Sequence, residues 1–188
     1  SLPGFVVMVP ADGAETRAAV RAAAEHVGPV YIRVGRPKAP IVYESGCPDF
    51  QIGKAITLRE GRDVTLIANG LMVAAALDAA EQLEQQGISA RVLDMHTVRP
   101  LDEEAVEKAA RETRAIVVAE EHLVFTGLGS QVAMAVAKRH PVPIRFIGLT
   151  DYAESGAPEA LMRKYGLTAN DIAREAIDLV NMRQEAAV

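Results

Sequence analysis

The 188-residue chain reads as an α/β protein, a sandwich of helices on a mostly parallel sheet. Two observations predict this class. Short β-branched runs alternate with Ala- and Leu-rich stretches of helical period along most of the chain, the pattern of strands joined by crossover helices. Hydrophobic residues make up 49% and charged residues 24%, the balance of a chain that packs a core. With aromatics at only 4% and no Trp, that core has to be built from Ala, Val, Leu and Ile. No repeat of fixed period and no low-complexity tract interrupts the pattern.

The elements follow in order. Phe5-Val6-Val7-Met8-Val9 is a short apolar strand ended by Pro10. Asp12 followed by Glu15 is a capping-box-like helix start, with Asp in place of Ser or Thr, and an Ala-rich helix runs on over 16–27 to Gly28-Pro29. Residues 30–34 form a second apolar strand, ending at Gly35-Arg36-Pro37 and closing a βαβ unit with a right-handed crossover. Residues 37–50 change character, with Pro37, Pro40, Gly46 and Pro48 and little periodicity, and read as a linker. Beyond it, strands over 54–58 and 63–68 flank the short turn Glu60-Gly61-Arg62, which favours an antiparallel hairpin. Helix 71–86 precedes strand 90–94, helix 103–112 precedes strand 115–120, and helix 130–139 leads to strand 144–147. Two helices finish the chain, 158–165 before Gly166 and 171–182 with Thr168 as its cap. The division expected is thus a βαβ piece over 1–36, a linker over 37–50 and an α/β domain over 51–188. A two-strand piece of this size cannot bury both faces of its own sheet, so it reads as the end of a larger domain whose earlier strands lie elsewhere.

Composition excludes several classes of function. The net charge is -5, with signs mixed along the chain and no basic patch, which argues against nucleic acid or an anionic membrane as partner. Cys47 is the single cysteine, so no internal disulfide can form, and a reducing cytoplasm is the expected compartment. No apolar run approaches a membrane span and no basic-then-apolar leader opens the chain. The four histidines are widely spaced, with no H-x-x-x-H or C-x-x-C pair, so no metal site is expected from this chain alone.

Three places invite chemistry, each with a simpler structural account. Glu120-Glu121-His122 ends a buried strand ahead of Thr126-Gly127-Leu128-Gly129-Ser130. The ends of parallel strands bind ligands and helix N-termini favour anions, yet a tight turn with acids at a surface accounts for the same residues. Asp94-Met95-His96 pairs an acid with an imidazole, as acid–base work would need, but no serine or cysteine nucleophile accompanies it. Asp102 is more simply a helix cap. Arg36, just past a strand, has the planar fork that grips phosphate or carboxylate, although most such arginines are only solvated.

Taken together, the segments resemble the C-terminal portion of the transketolase family. Val9-Pro10-Ala11-Asp12 through Glu15-Thr16, with Gly28-Pro29-Val30-Tyr31-Ile32-Arg33, is similar to the end of that family's pyrimidine-binding domain. Asp94 through Val98-Arg99-Pro100-Leu101-Asp102 resembles its basic-Pro-Leu-Asp passage between strand and helix. Glu120-Glu121-His122 with Gly127-Leu128-Gly129-Ser130 resembles its "EEH…GGLGS" turn, Thr126 replacing the first glycine. Glu154-Ser155-Gly156, Pro158-Glu159 and Lys164-Tyr165-Gly166-Leu167-Thr168 resemble its final helical region.

The resemblance implies a three-layer α/β/α C-terminal domain with a five-stranded mixed sheet, preceded by a βαβ remnant of the pyrimidine-binding domain. It implies transfer of a two-carbon ketol unit between phosphorylated sugars, with thiamine diphosphate and magnesium as cofactors. It places Arg36 where the family grips substrate phosphate. The family's diphosphate motif, beginning Gly-Asp-Gly, does not occur in these residues, and its activating glutamate is expected upstream of Ser1. No catalytic, cofactor-binding or metal residue is therefore assigned, His122 included, and the chain by itself is expected to be inactive. The partners implied are an N-terminal transketolase subunit or a preceding segment, phosphorylated sugars and a second copy in a homodimer. Deoxyxylulose phosphate synthase, a 2-oxoacid dehydrogenase beta-type chain and a non-catalytic dimerisation or assembly domain share this architecture and stay open as alternatives.

Overall fold

A computed structural model describes residues 3–36, 38–47 and 49–185, the Gln184 side chain excepted; Pro37 and Pro48 of the expected linker lie outside the described residues. The chain opens with β1 (Val6–Met8), α1 (Gly13–Glu25) and β2 (Val30–Ile32). Then come β3 (Ile56–Arg59), β4 (Val64–Ala68), α2 (Met72–Glu84), β5 (Ala90–Asp94), β6 (Thr97–Arg99) and α3 (Glu103–Thr113). The chain continues through β7 (Ile116–Leu123), α4 (Leu128–Arg139), β8 (Ile144–Leu149), α5 (Pro158–Lys164) and α6 (Ala169–Glu185).

The larger sheet has five strands in the order β3-β5-β4-β7-β8, all parallel except β3, which runs antiparallel to β5. Alternation along β4 divides the core. Val64, Leu66 and Ala68 point to one face, where Val73, Ala76, Ala80 and Leu83 of α2 and Ile172, Ala176 and Leu179 of α6 bury them. Ile67 points to the other, among Val106 and Ala110 of α3 and Leu128 and Val132 of α4. Those two helix layers around one sheet are the expected three-layer α/β/α architecture with a five-stranded mixed sheet. Small residues on the helices let them sit close to the sheet, which is how a core nearly devoid of aromatics fills its volume.

The hairpin expected at Glu60-Gly61-Arg62 does not form, because β5 lies between β3 and β4. The turn bonds outside itself: the Arg62 and Asp63 N–H groups donate to the Ser89 carbonyl at 3.1 and 2.9 Å, and the Asp63 carboxylate accepts from the Ser89 N–H at 2.7 Å. Stepping over the start of β5 brings the backbones so close that a Cβ at Gly61 would overlap the Ala90–Arg91 peptide. Turn length alone could not distinguish this crossing from a hairpin.

A smaller sheet has the order β2-β1-β6. β1 and β2 are parallel, as a βαβ unit requires, and α1 covers one face through Ala19 against Val6 and Met8. The third strand, β6, comes from beyond β5 and pairs antiparallel with β1, so the βαβ piece is joined to the larger unit by a strand the sequence pattern did not reveal. The other face stays open, with Tyr31 54% exposed. Among the described residues no helix is long and apolar enough to cross a membrane.

Candidate functional site

The carboxyl ends of β2, β4, β5 and β7 converge where the two sheets meet. Asp12, the N-cap of α1, is the first organising residue. Its Oδ1 accepts from the Ala14 and Glu15 N–H groups, and its Oδ2 accepts from the Val42 and Tyr43 N–H groups, all at 2.9 Å. One carboxylate therefore caps a helix and fastens the strap that returns after Arg36. Burial alone would raise the Asp12 pKa, but the donors from Glu15, Tyr43, Val42 and Ala14 outweigh it and hold the group below its ordinary value.

The Glu15 carboxylate does not close a conventional capping box. Its Oε2 accepts from the Ala11 N–H at 2.6 Å, one residue before the cap, and the side chain is fully buried against Asp94. Asp94 in turn accepts from the Tyr43 hydroxyl at 2.7 Å. Burial, followed by the charge of Asp94, pushes Glu15 up to about 9. Burial also raises Asp94 and, foremost among its causes, the Tyr43 phenol.

Asp94 and His96 do not work as an acid–base pair. His96 is fully buried, stacked on Phe50 with centroids 4.1 Å apart, and its Nδ1 lies 2.9 Å from the Thr97 hydroxyl. Burial lowers its pKa to about 4, which leaves the ring neutral at pH 7. It is a core histidine.

The anion seat read at the glycine turn is already filled from within. Glu120 Oε2 accepts from the Leu128 N–H and Oε1 from the Gly129 N–H, both at 2.7 Å, so the start of α4 closes on a side chain of β7. A Cβ at Gly127 would overlap the same carboxylate, which gives that glycine its reason. Burial raises the Glu120 pKa, opposed by the Gly129 and Leu128 donors and then by His122 and Arg33. His122 is half-buried, its Nδ1 lying 3.2 Å from the Leu123 carbonyl. Asp102 caps α3 as expected, accepting from the Ala105 N–H at 3.1 Å, and it also accepts from the Ala55 N–H at 3.0 Å.

Hollows open on this junction. A polar one of about 200 Å³ lies among Pro10, Asp12, Arg33, Asn69, Gly70 and Glu121. A larger cleft of about 880 Å³ is lined by Arg36, Lys38, Glu121, Leu149, Arg163 and Tyr165. Arg36 stands exposed on its wall. Arg33 and Glu121 approach to 3.8 Å across the junction. Cofactor diphosphate with magnesium would need a free amide cradle and converging carboxylates. The α4 amides are taken by Glu120, and among the described residues no group of three or more His, Cys, Asp and Glu side chains could hold a metal ion. These residues therefore do not fit that group, and no step is derived through it.

The parallel sheet with its antiparallel edge strand, together with a smaller βαβ-based sheet docked at the strand ends, defines a transketolase-type C-terminal architecture. The family model described as "Transketolase, C-terminal domain" matches residues 53–172. The chain is 46% identical over 184 residues to the 6-deoxy-6-sulfo-D-fructose transketolase subunit of a Clostridium species, covering 97% of this chain and 57% of that protein. It is 41% identical over 181 residues to an apulose-4-phosphate transketolase subunit of Phocaeicola vulgatus, covering 96% of this chain and 58% of that protein. Among solved structures, a split-gene transketolase described as an inactive β4 tetramer superposes with a TM-score of 0.91 at 47% identity, covering 96% of this chain and 59% of that one. The chain belongs to the transketolase family. It spans somewhat more than half the length of these relatives.

Sequence reasoning named Asp12, Glu15, Asp94 and Glu120 but not what they hold. Tyr43 it missed, since a residue in a proline-rich stretch of no period carries no signal of a buried partner.

Proposed function

We propose that this chain is the C-terminal part of a transketolase, in the form of a split enzyme's C-terminal subunit, acting with an N-terminal subunit or segment. The assembled enzyme transfers a two-carbon ketol unit between phosphorylated sugars. Thiamine diphosphate with magnesium, held outside these residues, supplies the carbanion stabilisation. What supports the reading most is that both subunit relatives align over 96% or more of the chain, so the βαβ piece and the Arg36 turn are included. The division at residues 37–50, a cytoplasmic setting and self-association belong to the same proposal. Self-association is supported by the open face of the small sheet and by the tetrameric description of the structural relative.

Within this reading Arg36 holds substrate phosphate. An exposed guanidinium at the wall of a cleft can offer two parallel N–H donors to a phosphate. The test is a ketol-transfer assay with thiamine diphosphate and magnesium. The 188 residues alone should give no turnover, and the chain joined to its N-terminal transketolase half should give it; turnover by the chain alone overturns the reading. In the assembled enzyme, Arg36→Ala should raise KM for a phosphorylated sugar by about tenfold or more, with little change for the unphosphorylated sugar. An equal effect on both sugars removes Arg36 from the phosphate site.

A further inference from the structure

We propose that the contact between the β1–α1–β2 unit and the five-stranded sheet is a proton-locked joint: one hydrogen shared by the Glu15 and Asp94 carboxyls holds the first turn of α1 and the Tyr43 strap against the end of β5, and its loss lets the joint open.

The geometry demands a proton. Both side chains are fully buried, one from α1 and one from the last residue of β5. Each spends one oxygen on a neighbour, Glu15 Oε2 on the Ala11 N–H and Asp94 Oδ2 on the Tyr43 hydroxyl. The remaining oxygens, Glu15 Oε1 and Asp94 Oδ1, are buried with no other partner among the described residues, and the two side chains face one another. Two ionised carboxylates are acceptors only, so a bond between them exists when one carries the hydrogen.

No neighbour can take over from that proton. From the α1 cap Asp12 adds another negative charge. From the strap come the Tyr43 phenol and the Cys47 thiol; burial first, then Glu15, Asp94, Asp12 and Asp49, push the thiol up to about 12, so it too stays protonated. Beyond β5, His96 is neutral. Among the described residues, none of the groups acting on the pair is a cation. Both carboxyls are raised in the folded joint, so it keeps hydrogen that an unfolded or opened joint would release in the ordinary carboxylate range. Joint stability is therefore fullest on the acid side. It declines as pH climbs through neutral, and the contribution is gone above the folded value of Glu15, about 9.

The test is NMR on the full chain with labelled carboxyl carbons, titrated from about pH 5 to about pH 10. The Glu15 and Asp94 carboxyl carbons should titrate with midpoints well above the ordinary carboxylate range. Exchange protection of the Ala11 and Tyr43 amides, corrected for intrinsic rate, should fall about tenfold per pH unit from neutral up to the folded value of Glu15, about 9, and level off above it, while β4 amides keep theirs. In Glu15→Gln the amide supplies the hydrogen to Asp94 permanently, and the protection should no longer depend on pH. Carboxyl midpoints near about 4, or a Glu15→Gln chain that opens with pH as steeply as the parent, overturn the proposal. Should that variant fail to fold, the carboxyl carbons of the parent chain decide it alone.

Discussion

Asp12→Ala should cost the chain about 3–4 kcal/mol of stability, measured by urea unfolding at neutral pH. The carboxylate serves four backbone N–H groups, two in the first turn of α1 and two in the strap at Val42 and Tyr43. Loss of an N-cap alone costs about 1 kcal/mol, and each donor left buried without an acceptor adds about 1–3 kcal/mol. Water can reach some of these part-buried amides, which keeps the total near the lower end of that sum. Asp12→Asn should fall between, because its carbonyl oxygen can still cap α1 while its NH2 turns toward two donors in the strap. The pH dependence carries a sign. Asp12 is held below its ordinary value in the fold, so its contribution is complete above the unfolded value and disappears as pH falls through the folded one. The alanine variant should lack that share of acid sensitivity. A loss under about 1 kcal/mol, with the acid limb unchanged, would show that the strap is held by something else.

Glu120→Ala should cost about 2–4 kcal/mol, again by urea unfolding, with faster amide exchange at Leu128 and Gly129. Those two N–H groups open a helix whose first two residues are buried, and their acceptor is the carboxylate of a neighbouring strand rather than a residue of the helix itself. Truncation leaves both donors without a partner and opens a space beneath the turn. Glu120→Gln keeps the shape but one acceptor oxygen only, and should lose about half as much. Gly127→Ala should resemble Glu120→Ala, since its methyl would displace the same carboxylate. An unchanged midpoint in Gly127→Ala would mean that the carboxylate does not sit under the turn.

Element identity was legible for local reasons. Strand 90–94 and the start of α3 at Glu103 fall where the pattern puts them, because an apolar run and an Asp cap are properties of a few adjacent residues. The start of α1 at Gly13 follows from Asp12 as its cap, as read, whereas the helix ends at Glu25 rather than running on to Val27. The hairpin at Gly61 was misread because a turn's length does not reveal which strand slides between its arms. β6 was not seen because three residues carry too little periodicity to separate a strand from a loop. The glycine turn invited an anion from outside, and the fold fills it with Glu120, an acid of the same motif eight and nine residues ahead of the amides it serves.

By itself the sequence determined the class of fold, the helices, every strand but β6 and the family likeness, for these rest on residues near one another and on the order of motifs. Tertiary structure alone decided that β5 separates β3 from β4, that β6 extends the small sheet, and that Glu15, Tyr43 and Asp94 meet. Those pairings join residues far apart in the chain, and burial converts ordinary carboxyls into groups that need a proton. Desolvation belongs to the packed assembly, so no inspection of neighbours along the chain could have disclosed it.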